Sequence, residues 1–228
     1  MPSKNSVKTY VSNGYYHIYN RGVEKRKIFQ DEQDYSVFLG YLKEYLTPKN
    51  EKGLRIRLSN SDISPIERDK ILRALRMNNF ADEITLLTYC LMPNHFHLLI
   101  KQKSANSLDR FMNSLSTRYV VYFNKKYKRV GPLYQDVYKA VLVESEPQLL
   151  YLTAYIHRNP LSLALQGDAL QKQPSSYKEY LGLRSTDWIK TEEILSYFSK
   201  TNPSLSYRAF VNQESDEDIV KDIIIEKD

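Results

Sequence analysis

The period of the apolar positions changes several times along this chain, and each change marks an element. Tyr15-Tyr16-His17-Ile18-Tyr19 reads as a first strand, stopped by Asn20-Arg21-Gly22. Tyr35, Phe38, Leu39, Leu42 and Leu46 recur at helical spacing, which predicts an amphipathic helix over 32–46 that ends before Pro48. Residues 49–82 look like an insertion. Within it, Ser64-Pro65-Ile66-Glu67 is a capping box with proline at the first helical position, opening a short helix to about Met77.

Ile84 to Leu91 is rich in apolar and β-branched residues and breaks at Met92-Pro93-Asn94, so His95 to Lys101 becomes its hairpin partner. Leu108, Phe111, Met112, Leu115, Tyr119 and Tyr122 mark a long helix from about Ser107 to Tyr127, and Val137 to Glu144 a fourth strand. Ser145-Glu146-Pro147-Gln148 is a second capping box. The helix it opens is expected to end near Asn159, because the residue before Pro160 is biased away from helix. The order β-α-β-β-α-β-α predicts a ferredoxin-like α+β fold, an antiparallel sheet with an extra helix after its last strand.

From about Pro174 the pattern weakens. Trp188, Ile189, Ile194, Leu195, Tyr197 and Phe198 suggest a small helical annex, and an acidic tail follows Gln213. The chain therefore divides into a main domain over 1–172, with the insertion at about 49–82, and an annex with tail over 173–228. Ile219-Val220 and Ile223-Ile224-Ile225 can pack as one more helix.

Charge sharpens this picture. The net +6 of the 228 residues hides a split: residues 214–228 hold seven acids and two lysines, −5, leaving +11 on residues 1–213. A body that basic attracts polyanions, of which nucleic acid is the usual one. Nineteen tyrosines against one tryptophan suit stacking on unpaired bases, although most serve equally well as core and rim. No apolar run approaches membrane-spanning length and the N-terminus lacks a signal-peptide core, so a cytoplasmic protein with no membrane partner is expected. A single cysteine, Cys90, excludes an internal disulfide and a cysteine-built zinc site.

Candidate chemistry centres on His95 and His97, two of the four histidines. Alternation along a strand puts both imidazoles on one face, about 7 Å apart, while Phe96, Leu98 and Ile100 point to the other. Such a pair either converges on a cation or is a hydrogen-bonded pair without one. On the last helix Tyr151, Tyr155 and Asn159 share one stripe, and Leu149, Leu152 and Ile156 another that can pack down. Laid across the open face of the sheet, that helix would bring Tyr155 and Asn159 over the histidines. Asn159 can then supply an oxygen as third ligand, and two nitrogens, one oxygen and open positions suit Mg²⁺ or Mn²⁺. His17 is open between a residue supporting a ligand and a structural histidine. His157 lies off the Tyr155 face and reads as a surface or DNA-side residue. Arg21, Lys125, Lys126, Lys128 and Arg129 are candidate phosphate contacts, each also explicable as a solvated basic residue.

Leu91-Met92-Pro93-Asn94-His95-Phe96-His97-Leu98-Leu99 resembles the signature of the single-tyrosine His-hydrophobe-His (HUH) transposases, and within them the REP-associated tyrosine transposases. Tyr16-His17-Ile18-Tyr19-Asn20-Arg21-Gly22, Gly131-Pro132-Leu133-Tyr134-Gln135 and Tyr155-Ile156-His157-Arg158-Asn159-Pro160 resemble that family in its order. The likeness spans roughly 13–165 and continues weakly through Ser175-Ser176-Tyr177. It implies His95, His97 and Asn159 as metal ligands and Tyr155 as the nucleophile of a single-strand DNA endonuclease and strand transferase. Such an enzyme cleaves hairpin-associated DNA through a 5′-phosphotyrosine intermediate and rejoins it, as a monomer or a homodimer. One departure stands out: family members often carry an arginine shortly after the glutamine, whereas Gln135-Asp136-Val137-Tyr138 has none, leaving Lys139 to supply that contact. The competing expectations are a non-catalytic binder of single-stranded nucleic acid and a replication initiator with the same site chemistry.

Overall fold

The computed structural model describes residues 8–164, 173–213, 219–222 and 224. Strands β1 (Tyr15–Arg21), β2 (Ile84–Met92), β3 (His95–Gln102) and β4 (Lys139–Val143) form one sheet in the order β2-β3-β1-β4, every neighbouring pair antiparallel. Helix α1 (Glu32–Leu46) follows β1. Helices α2 (Glu51–Leu58) and α3 (Pro65–Arg76) follow α1, α4 (Ser107–Lys126) joins β3 to β4, and α5 (Glu146–Ala164) follows β4. This is the expected ferredoxin-like order with one added helix.

The caps explain the helix starts. The Asp31 side chain accepts from the Asp34 amide, and Ser64 accepts from the Glu67 amide with Pro65 at the first helical position, as the capping box predicts. The predicted insertion is thus an exposed helical hairpin. Lys49 ties it down by donating to the carbonyls of Leu75 (3.0 Å) and Met77 (2.7 Å) at the end of α3.

Both faces of the sheet are buried. Tyr16, Ile18, Phe96, Leu98 and Ile100 pack against Phe38 and Leu42 of α1 and Phe111, Leu115 and Tyr119 of α4. Leu99 and Val143 pack against Leu149, Leu152 and Ile156 of α5 on the other face. Strand β2 serves both cores through a bulge between Leu86 and Thr88. Leu86, Tyr89 and Leu91 enter the first core, Leu87, Cys90 and Met92 the second, so the strand shows no simple alternation of apolar and polar residues.

The annex is a set of short helices, α6 (Tyr177–Tyr180), α7 (Glu192–Leu195) and α8 (Tyr207–Asn212), and it shares these cores. Tyr180, Ile194, Tyr207 and Val211 join the α5 side. Trp188 lies against Tyr89 with ring centroids 6.1 Å apart. The annex also covers the edge of β2 through bridges from Ser175 to Cys90 and from Ile189 to Leu86, protecting an otherwise open strand edge. In the tail, Val220 and Ile224 are buried in the second core. Six of the tail's acids, those within 214–218 and at 226 and 228, lie outside the described residues, as do Ile223 and Ile225.

Two boundaries differ from the sequence expectation. The fourth strand is shorter, leaving Val137 exposed before it. Helix α5 does not stop near Asn159 but runs through Pro160 to Ala164. Proline removes one helical donor. The Asn159 side chain gives its amide hydrogen to the Tyr155 carbonyl at 3.0 Å.

The turn after β1 fixes where the histidine strand begins. Gly22 donates to the Asn94 carbonyl (2.8 Å), and Pro93 accepts from the amides of Ile28 (2.7 Å) and Phe29 (3.0 Å). A Cβ at Gly22 would stand 2.2 Å from the Arg26 carbonyl oxygen, and backbone cannot swing aside as a side chain does. Gly22→Ala is therefore expected to cost about 1–3 kcal/mol in urea unfolding, the range for forced overpacking.

Candidate active site

The turn Met92-Pro93-Asn94 delivers His95 as the first residue of β3, and alternation returns to the same face at His97. The Asn94 carboxamide oxygen lies 2.7 Å from Nδ1 of His95, so that nitrogen carries the proton and donates. His97 is fully buried, and its Nδ1 sits 2.9 Å from Nε2 of His17 on the neighbouring strand. Its own Nε2 is buried with no hydrogen-bond partner. Burial first, then the nearby His95, His17 and Arg21, hold the His97 imidazole well below its usual protonation range. A neutral ring is the form that ligates a cation.

A buried polar atom without a partner costs about 1–3 kcal/mol, so one on a neutral imidazole beside a second histidine calls for an occupant. A divalent cation fits that demand. Among the described residues no group of three or more His, Cys, Asp or Glu side chains forms a cation site. An amide oxygen is a further ligand type that such a site can take.

Helix α5 supplies the rest. With Leu152 and Ile156 buried in the second core, Tyr155 lies half-buried above the sheet. Its ring is perpendicular to that of His97 (88°), with centroids 5.6 Å apart, and to that of His17 (82°) at 6.3 Å. The rings of His95 and His97 are likewise perpendicular, at 4.9 Å. The structure thus brings His95, His97 and Tyr155 together, with Asn159 one helical turn beyond Tyr155 and bonded to its carbonyl. Tyr151, one turn earlier, packs on Phe210 of the annex instead (5.2 Å).

Strand register locates two of the predicted basic residues. Lys139, Tyr19, His97 and Cys90 form one row across the sheet, and Arg21 stands opposite His95 in the next. Lys139 is two strands from His97, about 10 Å across the sheet, and forms an ion pair with Asp136 at 2.9 Å. The row puts Lys139 on the histidine face. The cluster after α4 is at the same end of the molecule but in the other layer. Lys125 and Lys128 are exposed there, and Arg129 donates to Asn124 (3.2 Å) and to the Pro132 carbonyl (3.4 Å). Lys126 is committed within the fold: it pairs with Asp31 and with the fully buried Asp34, both at 2.7 Å.

His157 corrects a sequence expectation. It is not a surface residue but 1% exposed, with Nδ1 2.6 Å from the Tyr207 hydroxyl and Nε2 2.8 Å from Ser176 Oγ. Ser176 Oγ in turn accepts from the Tyr89 amide at 2.9 Å. Burial pushes the His157 imidazole down to about 3, so it stays neutral, one nitrogen donating and the other accepting. This clasp joins α5 to the annex and to β2, two residues from Tyr155. The annex covers what the helical stripe alone showed as an outward face. Asn94 is a residue of the site that the motif spacing does not single out. Its position just before the pair was the available signal, since a short amide there can reach back to the ring.

Residues 65–159 match the family model described as "Transposase IS200 like". That stretch holds His95, His97, Tyr155 and Asn159. Among solved structures, a REP-associated tyrosine transposase bound to a REP hairpin is similar over 88% of this chain and 94% of its own, with a TM-score of 0.50 at 10% identity. At that identity the likeness is one of fold. No curated protein matches. The resemblance to single-tyrosine transposases read from the motifs is borne out by the family match, and the ferredoxin-like fold by the solved structure.

His157→Ala would take one hydrogen-bond partner from each of two buried hydroxyls and leave a cavity beneath α5. It is expected to lower the unfolding free energy by about 3 kcal/mol. His157→Gln, which keeps a donor and an acceptor, should cost less; urea titration of the two variants checks the order.

Proposed function

We propose that this chain cleaves and rejoins single-stranded DNA at hairpin-associated sites, with Tyr155 as nucleophile and a divalent cation, Mg²⁺ or Mn²⁺, held by His95, His97 and Asn159. The observation that carries this reading is the perpendicular placement of Tyr155 over a buried neutral His97 whose Nε2 lacks a partner. It lies in a stretch that matches a transposase family. The solved relative's REP hairpin supports a hairpin substrate. Among the described residues no helix is long and apolar enough to cross a membrane, in keeping with action on DNA in the cytoplasm.

The chemistry follows from the residues. The Tyr155 oxygen bonds to the scissile phosphorus as the bond to the 3′ oxygen breaks. The phenolic proton leaves and the 3′ oxygen gains one, giving a 5′-phosphotyrosine and a free 3′-OH. Because the phosphodiester energy is kept, a 3′-OH can reverse the step without a nucleoside triphosphate. When bound, the cation would draw charge from the phosphate oxygens, offsetting what builds in the transition state. Asn94 and His17 hold the two imidazoles in place, and α5 presents the phenol to them. Arg21 and Lys139 share that face and are the nearest candidates for phosphate contacts. Lys125, Lys128 and Arg129 lie in the other layer, suited to a more distant part of the DNA, while Lys126 acts chiefly through Asp34. Tyr151, turned to Phe210, does not stand beside Tyr155 as a second nucleophile on the same helix, which favours this reading over an initiator that uses two.

Labelled hairpin DNA with a single-stranded flank, incubated with Mn²⁺ or Mg²⁺, should yield a covalent protein–DNA adduct. Tyr155→Phe should reduce it by at least about 10³-fold, and EDTA should abolish it. Tight binding with no adduct on any single-stranded substrate would leave a non-catalytic binder. Lys139→Ala is expected to lower the slope of log affinity against log salt by about one unit, the signature of one lost phosphate contact.

A further inference from the structure

We infer that His17 is a positioning residue for His97: it accepts a hydrogen bond from the Nδ1–H of His97 and thereby fixes the tautomer whose Nε2 lone pair faces the site. The inference rests on the reading of His97 as a cation ligand and names what makes it one. The nitrogens are 2.9 Å apart, the ring planes differ by 13°, and the centroids are 5.1 Å apart. A nitrogen separation that short is below the spacing of stacked rings, so the two imidazoles meet edge to edge in nearly one plane. That is the geometry of an N–H···N hydrogen bond.

Only two neutral arrangements satisfy this contact, and they differ in consequence. If His17 donated, the His97 proton would sit on Nε2. That N–H would be buried without an acceptor, and no lone pair would face the site. If His97 donates from Nδ1, its proton is satisfied and the Nε2 lone pair is left for a cation. The second arrangement is the one a metal-ligating histidine uses, its other ring nitrogen donating to a fixed acceptor. His17 and His97 are both completely buried, so water does not compete for the contact. Adjacent strands set it: His17 lies opposite Leu99 and Tyr19 opposite His97, so the two histidines meet on the diagonal of one face. His95 is served in parallel by Asn94, whose carboxamide oxygen takes its Nδ1.

The test uses the full chain, Mn²⁺ as probe, and readouts other than turnover. Titration calorimetry of His17→Phe should show the Mn²⁺ dissociation constant raised about 10- to 100-fold, the usual effect of removing such a support. His17→Gln, which keeps a carbonyl acceptor, should recover most of that loss. A role in packing alone would move the melting temperature of both variants and leave their Mn²⁺ affinities equal. In the metal-free wild type, ¹⁵N NMR should find the His97 proton on Nδ1. Mn²⁺ binding by His17→Phe as tight as that of the wild type would overturn the inference. So would a His97 proton on Nε2, a measurement that decides even if His17→Phe fails to fold. A wild-type chain that binds no Mn²⁺ would overturn the ligand reading itself, and this inference with it.

Discussion

His97 can be a fully buried imidazole only because α5 lies over the face of the sheet that α1 and α4 leave open. Removing an imidazole from water penalises its charged form, so the ring is neutral. Burial also removes the solvent that would otherwise satisfy its two nitrogens. One finds His17, and the other is left facing the site. The apolar half of α5, Leu149, Leu152 and Ile156, provides the packing energy for this cover, each buried side chain contributing roughly 2 kcal/mol. The same helix carries Tyr155, so the element that buries His97 also brings the phenol to it. Packing and chemistry are one constraint here.

The annex belongs to that constraint. A sheet with β2 at its edge and α5 on one face would leave a strand edge and a helix flank in water. Residues 173–213 cover both, and the polar centre of that cover is His157 with Ser176 and Tyr207. Buried polar contacts of this kind are directional where apolar packing is tolerant, so they fix the rotation of α5 about its own axis. Rotation matters because Tyr155 and His157 are two residues apart on one helix: turning one toward the annex sets where the other points.

Much of this was legible in the sequence because local rules act over a few residues. The two capping boxes, the limits of α1 and the alternation that puts His95 and His97 on one face needed no knowledge of the rest of the chain. What escaped depends on partners far away. His157 looked outward until Ser176 and Tyr207 arrived from the annex. Lys126 read as a phosphate contact, but its charge is taken by Asp34, ninety-two residues earlier, which a charge pattern cannot reveal. Pro160 is a sound stop signal, overridden by the packing of α5. Strand β2 hid its bulge because both of its faces are buried and its alternation was erased. The placing of Lys139 beside the histidines needed the register of three strands.

Asn159, the residue before Pro160, illustrates how one side chain can link two parts of a site. Pro160 takes the donor from the Ile156 carbonyl rather than from that of Tyr155, so the Asn159 side chain does not stand in for it. Its amide instead donates to the carbonyl of Tyr155. An amide has one nitrogen and one oxygen, so committing the nitrogen to the backbone turns the oxygen the other way. The proposed third ligand and the proposed nucleophile are then joined by a hydrogen bond within one turn. A cation drawing on the Asn159 oxygen would polarise that amide and strengthen its N–H as a donor, tightening the bond to the Tyr155 carbonyl. Ligand binding and nucleophile placement would be coupled through one side chain, at a point where the sequence seemed only to announce the end of a helix.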